Sequence, residues 1–202
     1  FAFSLSYPVI RDTDISYNVA VATSGALGGA GVFCMSEAVP SLIDCTISHN
    51  ESGAFGGGIA SVNNSSFSME RCELFLNKAA YGGGVYNEGF NENSVSRLEI
   101  KQCKIYSNQA PSYGGAYFSF GHPLIENTLI FDNQSSYIGS GIYLSHARLE
   151  VNSCTIADNS HHCLSLQELI YNQTISTCDV QSTLDRHIGR GLSSYKFRHT
   201  LL

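Results

Sequence analysis

The chain has no tryptophan and only 2 methionines among its 202 residues, and only 14% of its residues are charged. A typical globular protein has roughly 25% charged residues. Strong helix formers such as Lys and Glu are scarce, while Gly alone accounts for 19 positions. This composition argues against a helical bundle and favours a β-rich, turn-rich chain.

Two further absences limit the expected partners. No apolar run approaches the ~20 residues needed to cross a bilayer, so we expect no membrane span in this chain. The net charge is −6, and the repeated part of the sequence has no basic face, so we expect no nucleic-acid partner. The chain begins at Phe1 rather than Met and is expected to be part of a larger chain or assembly.

An asparagine recurs in six short segments, each with an apolar residue three positions earlier. The intervals between successive asparagines vary from 25 to 32 residues. Variable spacing around a fixed motif is typical of a solenoid whose loops accept insertions. The six asparagines are Asn18, Asn50, Asn77, Asn108, Asn133 and Asn159.

Three more columns of equivalent residues share this register: apolar residues three and eight positions before the asparagine, and Cys or Thr five positions before it. Positions i and i+2 share a face in a strand but not in a helix, so the Cys/Thr and Ile/Leu columns predict strands with one buried face. The apolar columns are Ile15, Ile47, Leu74, Ile105, Ile130 and Ile156, and Ile10, Leu42, Met69, Ile100, Ile125 and Val151. The inward Cys/Thr column is Thr13, Cys45, Cys72, Cys103, Thr128 and Cys154.

A glycine-rich step into a short apolar strand follows five of the asparagines. Glycine permits positive φ and close approach of two backbones, so one such step in each coil would form a corner along the solenoid. The corner glycines are Gly29, Gly57, Gly58, Gly83, Gly84, Gly114, Gly115 and Gly141.

The columns predict an all-β parallel β-helix of about six coils. Residues 1–165 are expected to form the repeats, and residues 166–202 an irregular last coil or cap with a basic tail. Stacked asparagines are expected to hydrogen-bond from coil to coil, as they do in cross-β ladders. The first coil has no evident cap, so we expect it to self-associate or to stack on further β-helix.

The paired motifs [Ile/Leu]-x-x-Asn and Gly-Gly-[Ala/Gly]-[Ile/Val] resemble the repeats of polymorphic outer-membrane proteins over residues 10–165. The resemblance implies a right-handed β-helix of the kind found in bacterial autotransporter passengers and adhesins. Gly57-Gly58-Ile59 and Gly83-Gly84-Val85 match best. This chain departs from the family where Ile or Leu replaces Phe, where Ser140 interrupts a glycine step, and after Asn159, which has no glycine step.

The cysteines of the inward column are expected to be free thiols packed as small apolar groups, because Thr occupies the same position in two coils. Cys34, Cys163 and Cys178 lie outside the column, and a disulfide among them is left open. The sequence His161-His162-Cys163 lacks a second ligand cluster, so a coil-end loop is expected there rather than a metal site, and no cofactor is expected.

Two kinds of polar residue could have a functional role: a pair of aspartates, and asparagines in glycosylation sequons. Asp132 and Asp158 each precede a repeat asparagine in successive coils, and two neighbouring carboxylates could serve a retaining glycosidase. We favour the interpretation that both aspartates are outward turn residues, because no cluster of Lys or Arg occupies the equivalent position in the repeats. Asn63 and Asn64 head glycosylation sequons in a predicted loop, as does Asn172 near the C-terminus.

The sequence therefore favours a non-enzymatic structural or adhesive module, extracellular or at the cell surface, with a cell-surface protein or a glycan as its ligand. Binding is expected along a flat face or through the inserted loops 34–41, 61–68 and 87–97. A β-helical polysaccharide lyase or glycoside hydrolase is the alternative, supported by analogy of fold.

Overall fold

The computed structural model describes residues 2–3, 6–21, 28–88, 98–119, 122–137, 139–146, 148–161, 163–167, 173–180, 185–186 and 192–197. Strands are the regular elements of these ranges, and no helix occurs in them. Strands pair in parallel with the equivalent strands of neighbouring coils. The predicted all-β parallel β-helix is therefore confirmed.

Most strands stack into three long sheets, with the strands numbered here in chain order. Sheet 1 contains β1 (Ala2–Phe3), β5 (Val32–Cys34), β9 (Ile59–Ser61), β12 (Val85–Glu88), β16 (Ala116–Ser119), β20 (Ile142–Ser145), β23 (Leu164–Gln167) and β25 (Asp185–Arg186). Sheet 2 contains β2 (Val9–Arg11), β6 (Ser41–Ile43), β10 (Ser68–Glu70), β13 (Glu99–Lys101), β17 (Leu124–Glu126) and β21 (Glu150–Asn152). Sheet 3 contains β3 (Asp14–Ser16), β7 (Thr46–Ser48), β11 (Glu73–Phe75), β14 (Lys104–Tyr106), β18 (Leu129–Phe131) and β22 (Thr155–Ala157).

Short strands after the asparagines form a minor fourth stack. Strand β4 (Val19–Ala20) pairs with β8 (Glu51–Ser52), and β15 (Gln109–Ala110) pairs with β19 (Gln134–Ser135). Lys78 bridges the two pairs. Each full coil therefore runs through sheet 2, sheet 3, this fourth stack and sheet 1.

The register of the sheets follows the columns of the sequence. Leu74 of β11 lies between Ile47 of β7 and Ile105 of β14. Met69 of β10 lies in the same way between Leu42 and Ile100. These side chains are fully buried and form one continuous core along the inside of the solenoid.

The C-terminal part of the chain also contains strands that continue the stacks. Strand β24 (Gln173–Val180) joins sheet 2 to sheet 3, and β26 (Leu192–Phe197) pairs with β24 with shifts of register. Sheet 1 consequently has eight strands, so the count of stacked levels differs slightly from the six coils predicted.

Each coil contains two single-residue bends, one directly before the residue of the Cys/Thr column and one directly before the asparagine. The bend residues have φ between 47° and 58°, a left-handed conformation that costs a non-glycine residue roughly 1 kcal/mol. Bonds between stacked bends compensate, such as those from the amides of Asp44 and His49 to carbonyls of the next coil. The bend residues are Asp12, Asp44, Arg71, Gln102, Asn127 and Ser153, and Tyr17, His49, Leu76, Ser107, Asp132 and Asp158.

The loops 34–41 and 61–68 are stacked turns rather than projecting insertions. The Ser66 amide donates to the Ala38 carbonyl at 3.0 Å, and Ala38 and Phe67 are fully buried. Only the tips of these loops, including Glu37 and Asn63, are exposed. Residues 89–97 of the third predicted loop lie outside the described residues.

Candidate functional site

The repeat asparagines form a hydrogen-bonded ladder from Asn18 to Asn159. In a typical rung, Asn77 donates from its backbone N and from Nδ2 to Oδ1 of Asn108, at 3.0 and 3.1 Å. The same Nδ2 donates to the carbonyl of Ile47 in the preceding coil at 2.9 Å. The pattern recurs at Asn50, Asn108 and Asn133.

The two ends of the ladder differ from its middle. Asn18, which the sequence places in the buried ladder, is exposed because no described coil lies above it. Its Nδ2 turns to the carbonyl of Ser16 at 3.2 Å, while Oδ1 accepts no hydrogen bond from the described residues. Asn159 at the other end is buried and donates to the Ile130 carbonyl. The ladder is a structural device, since its middle amides are out of reach of any ligand.

The glycine corner makes room for this ladder. A Cβ at Gly58 would lie 3.2 Å from Nδ2 of Asn77, and a Cβ at Gly84 would lie 3.0 Å from Cγ of Asn108. Such contacts are tighter than ordinary side-chain packing. Positive φ occurs at Gly56, Gly82, Gly114 and Gly139, of which only Gly114 is among the predicted corner glycines. The two repeat motifs therefore form one building unit, in which the glycine of one coil fits over the asparagine of the next.

The cysteines of the inward column are buried free thiols that stack along the core. The backbone N of Cys45 and that of Cys72 each donate to the sulfur of the next cysteine at 3.4 Å. Thr128 replaces a cysteine by accepting from the Cys103 amide at 3.3 Å, and Thr13 lies in the first coil. Cys34 and Cys163 are buried and free as well, whereas the Cys178 side chain lies outside the described residues.

We expect Cys34, Cys45 and Cys103 to resist alkylation in the folded protein. Burial raises the pKa of Cys34 to about 12, and the hydrogen bond with Cys72, together with burial, raises the pKa of Cys103. Because the thiolate is the reactive form, iodoacetamide at pH 8 should label Cys34, Cys45 and Cys103 only after denaturation, as read by peptide mass spectrometry. Native labelling of Cys34, or a disulfide-linked peptide containing it, would contradict this prediction.

Asp132 and Asp158 occupy equivalent bends of successive coils, where both side chains are exposed. Oδ2 of Asp132 accepts from the hydroxyl of Ser107 at 2.8 Å. The carboxylates therefore project from the outside of the rod rather than from a shaped recess. Among the described residues, no group of three His, Cys, Asp or Glu side chains is placed to hold a metal ion.

The sequon asparagines differ in their surroundings. Asn63 and Asn64 are exposed at the tip of the loop 61–68, where φ is 52° and 60°. Asn172 lies outside the described residues. Glycosylation at Asn63 or Asn64 stays a prediction, with both side chains placed where an enzyme could reach them.

The outer face of sheet 3 carries a column of aromatic rings that sequence reasoning missed. Phe75 stacks on Tyr106 with ring centroids 4.9 Å apart, and Tyr106 stacks on Phe131 at 5.0 Å. The three rings are half-buried and nearly parallel. Their common position two residues before the repeat asparagine is the signal that could have revealed them.

Apolar and charged groups flank this ring column. Leu129 is 42% exposed beside Phe131 on β18, and Leu76 is 48% exposed at the neighbouring bend. Lys104 Nζ lies 2.7 Å from a carboxylate oxygen of Glu73, which raises the pKa of the lysine. We call Phe75, Leu76, Tyr106, Leu129 and Phe131 the aromatic face.

Sheet 1 has a different outer surface, in which aromatic residues cover one another. Phe55 stacks on Tyr86 at 4.4 Å, and Tyr113 packs on Tyr143 at 4.6 Å. Tyr86 and Tyr143 are consequently buried although they lie outside the core. The rings of this surface therefore pack against one another.

A polar cleft lies beside the fourth stack, across the three coils that contain Gln109, Gln134 and Ser160. Its volume is about 460 Å³, and it is lined by Gln109, Ala110, Pro111, Gln134, Ser135, Ser136, Ser160 and His161. None of these residues is Lys, Arg, Asp or Glu. The fully buried Ser140 lies behind the cleft and hydrogen-bonds to Ser135 and Ser160 at 3.0 and 3.1 Å.

Comparison with known families supports the coil geometry described above. A family model described as a right handed beta helix region matches residues 84–186, just over half of the chain. The chain belongs to the right-handed β-helix family. Neither curated proteins nor solved structures give a significant match.

The family fixes the architecture of this right-handed β-helix but not its activity, because one fold supports many functions. In the described ranges, the right-handed β-helix contains no helix long and apolar enough to span a bilayer. The aromatic face and the polar cleft are its candidate functional surfaces.

Proposed function

We propose that this right-handed β-helix is a non-enzymatic structural and adhesive module that binds a protein partner through the aromatic face. The observation that carries the proposal is the stack of half-exposed rings of Phe75, Tyr106 and Phe131 on a parallel sheet. Aromatic residues are enriched at protein interfaces and supply most of the binding energy in their centres.

The face is also suited to binding by its rigidity and chemistry. Stacked coils hold the rings at fixed spacing, so little side-chain entropy is lost when a partner covers them. Exposed Leu76 and Leu129 extend the apolar area, and Glu73 and Lys104 add a charged pair that could set the orientation of a partner. The loops 34–41 and 61–68 are packed turns rather than projecting insertions. Binding along the aromatic face is therefore better supported than binding through these loops.

An extracellular or cell-surface location is part of the proposal. Its support is the resemblance of the repeats to those of polymorphic outer-membrane proteins, which are surface-exposed passengers and adhesins. The scarcity of charged residues and the regular coils agree with a rod that displays a surface.

Binding to immobilised extracellular-matrix and cell-surface proteins tests the proposal. The biotinylated full chain should be retained on at least one protein of the panel. The variant Phe75→Ser/Tyr106→Ser/Phe131→Ser should lose at least 10-fold in affinity, because the substitutions remove the apolar contacts of the face. A matched variant on sheet 2, Glu99→Gln/Glu126→Gln, should bind as the wild type does.

The same samples distinguish adhesion from catalysis. Uronate and neutral polysaccharides are incubated with the protein, and released reducing ends and unsaturated products are measured. We expect none above background. Product release that disappears in Asp132→Asn and Asp158→Asn would establish the enzymatic alternative, and unchanged protein binding by the triple variant would remove the aromatic face from the proposal.

The N-terminal coil is proposed as the end through which the rod stacks on a second copy or further β-helix. Its support is Oδ1 of Asn18, which accepts no hydrogen bond from the described residues. In every other described rung, the equivalent Oδ1 accepts from the asparagine of the preceding coil. Sedimentation velocity should show association that increases with concentration and weakens in Asn18→Ala, which removes the acceptor. A dispersed monomer at all concentrations would contradict stacking between copies.

A further inference from the structure

The polar cleft has the chemistry of a site for a neutral sugar chain. Gln109 and Gln134 are paired in register on β15 and β19, so their exposed amides lie one coil apart. Neither amide hydrogen-bonds to another described residue, nor do the hydroxyl of Ser136 and the imidazole of His161. Each of these groups can donate and accept, which matches the hydroxyls of a sugar.

The dimensions of the cleft agree with a short oligosaccharide segment. Its volume of about 460 Å³ falls within the range of small-molecule sites. It extends from the coil of Gln109 through that of Gln134 to that of Ser160, which is roughly 10 Å at the spacing of stacked strands. The exposed ring of Tyr137, 66% accessible and adjacent in sequence to Ser136, offers an aromatic surface near the rim.

The floor of the cleft is held in place by Ser140, the residue that interrupts the glycine steps. Its hydroxyl donates to the carbonyl of His161 at 2.6 Å, and the His161 amide donates back to it at 2.7 Å. Ser135 and Ser160 join this network through their own hydroxyls. The departure from glycine at this coil thus fixes the backbone that carries His161, which a ligand site requires.

Other ligand classes fit the cleft less well. An anion would require Lys or Arg, and the lining has neither. A peptide strand would need unpaired backbone groups, but the amides of Gln134 and Ser160 already donate to carbonyls of the preceding coil. An apolar ligand would lack its usual hydrophobic lining.

We propose that the polar cleft binds a neutral oligosaccharide through the side chains of Gln109, Gln134 and His161. This inference rests on the proposed function as a binding module and adds a second ligand class at a separate site. The aromatic face and the cleft would then engage a glycoprotein surface by two independent contacts, whose affinities multiply when both are occupied.

An array of neutral, uronate, sulfated and sialylated oligosaccharides, with peptides as further spots, tests this site. The full chain should be retained on neutral glycans, and Gln109→Ala/Gln134→Ala and His161→Ala should each lower the affinity at least 10-fold by calorimetry. Glu51 lies in the same outward column as Gln109, two coils away. The control variant Glu51→Gln should therefore not change the affinity for the glycan. All three variants replace exposed side chains, so their unfolding midpoints should equal that of the wild type.

The results separate this inference from the proposed function. The aromatic-face triple variant should keep its affinity for the neutral glycan. Retention only on acidic glycans, only on peptides or on no spot would overturn the cleft assignment, as would unchanged glycan affinity in the cleft variants. Protein binding that persists in such a case would leave the aromatic-face proposal intact.

Discussion

Replacing Asn108 by Ala should destabilise the protein by about 3–5 kcal/mol, because four buried groups lose hydrogen bonds at once. The backbone N and Nδ2 of Asn77 lose their acceptor, the carbonyl of Leu74 loses its donor, and Oδ1 of Asn133 loses one of its two donors. No water can reach these groups, since Asn77 and Asn108 are fully buried. The free energy of unfolding from urea titration measures the loss.

Asn18→Ala is the matched control for that substitution. The side chain at this end is exposed, and the Asn18 backbone N still donates to Oδ1 of Asn50 after the change. The expected cost is below about 1 kcal/mol. Equal costs for Asn18→Ala and Asn108→Ala would mean that burial of the ladder contributes nothing.

Replacing Gly83 by Ala should cost about 3 kcal/mol or more, through overpacking rather than through lost bonds. An added Cβ would lie 2.6 Å from the carbonyl carbon of Gln109 and 2.8 Å from its nitrogen. These are backbone atoms of the next coil, which cannot move without breaking the bonds of β15 to its neighbours. Thermal unfolding should show a much lower midpoint than the wild type.

Gly28→Ala should leave the midpoint within a few degrees of the wild type. The nearest atom to a Cβ there is the methyl carbon of Ala20, at the ordinary contact distance of 3.9 Å. If Gly28→Ala and Gly83→Ala had equal effects, the corner glycines would matter for flexibility of the unfolded chain and not for the close approach of coils.

The sequence was sufficient to predict the stacking of the core because each column repeats one residue type at one depth. Ile47, Leu74 and Ile105 can share a register only if coils lie one above another, and the parallel pairing follows from that. The period of two between Cys72 and Leu74 likewise shows which residues face inward.

The left-handed bends could not be predicted in the same way. Leu76 and Arg71 have no preference for positive φ, and they adopt it because the coils above and below hold the backbone. A positive φ that is imposed by neighbouring coils cannot be predicted from the type of the residue that adopts it. The exposure of Asn18 was missed for a related reason, since the motif is identical whether or not another coil covers it.

The binding surfaces were only partly predictable. The rings of the aromatic face recur at a fixed distance from the asparagine, so a search of outward columns would have found Phe75 and Tyr106. The polar cleft depends on Ser140 meeting residues of the next coil, and nothing in the local sequence relates Ser140 to Ser160 or His161 in space.

A double-mutant cycle between Asn50 and Asn77 tests the central claim, that the repeat motif builds the rod through contacts between successive coils. Asn50 donates to Oδ1 of Asn77 from both its backbone N and Nδ2. The double Ala variant should therefore cost about 1–3 kcal/mol less than the sum of the single variants, whereas Asn50 with Asn133, three coils away, should be additive. Additive costs for both pairs would contradict the ladder and, with it, the assignment of function to the outer surfaces.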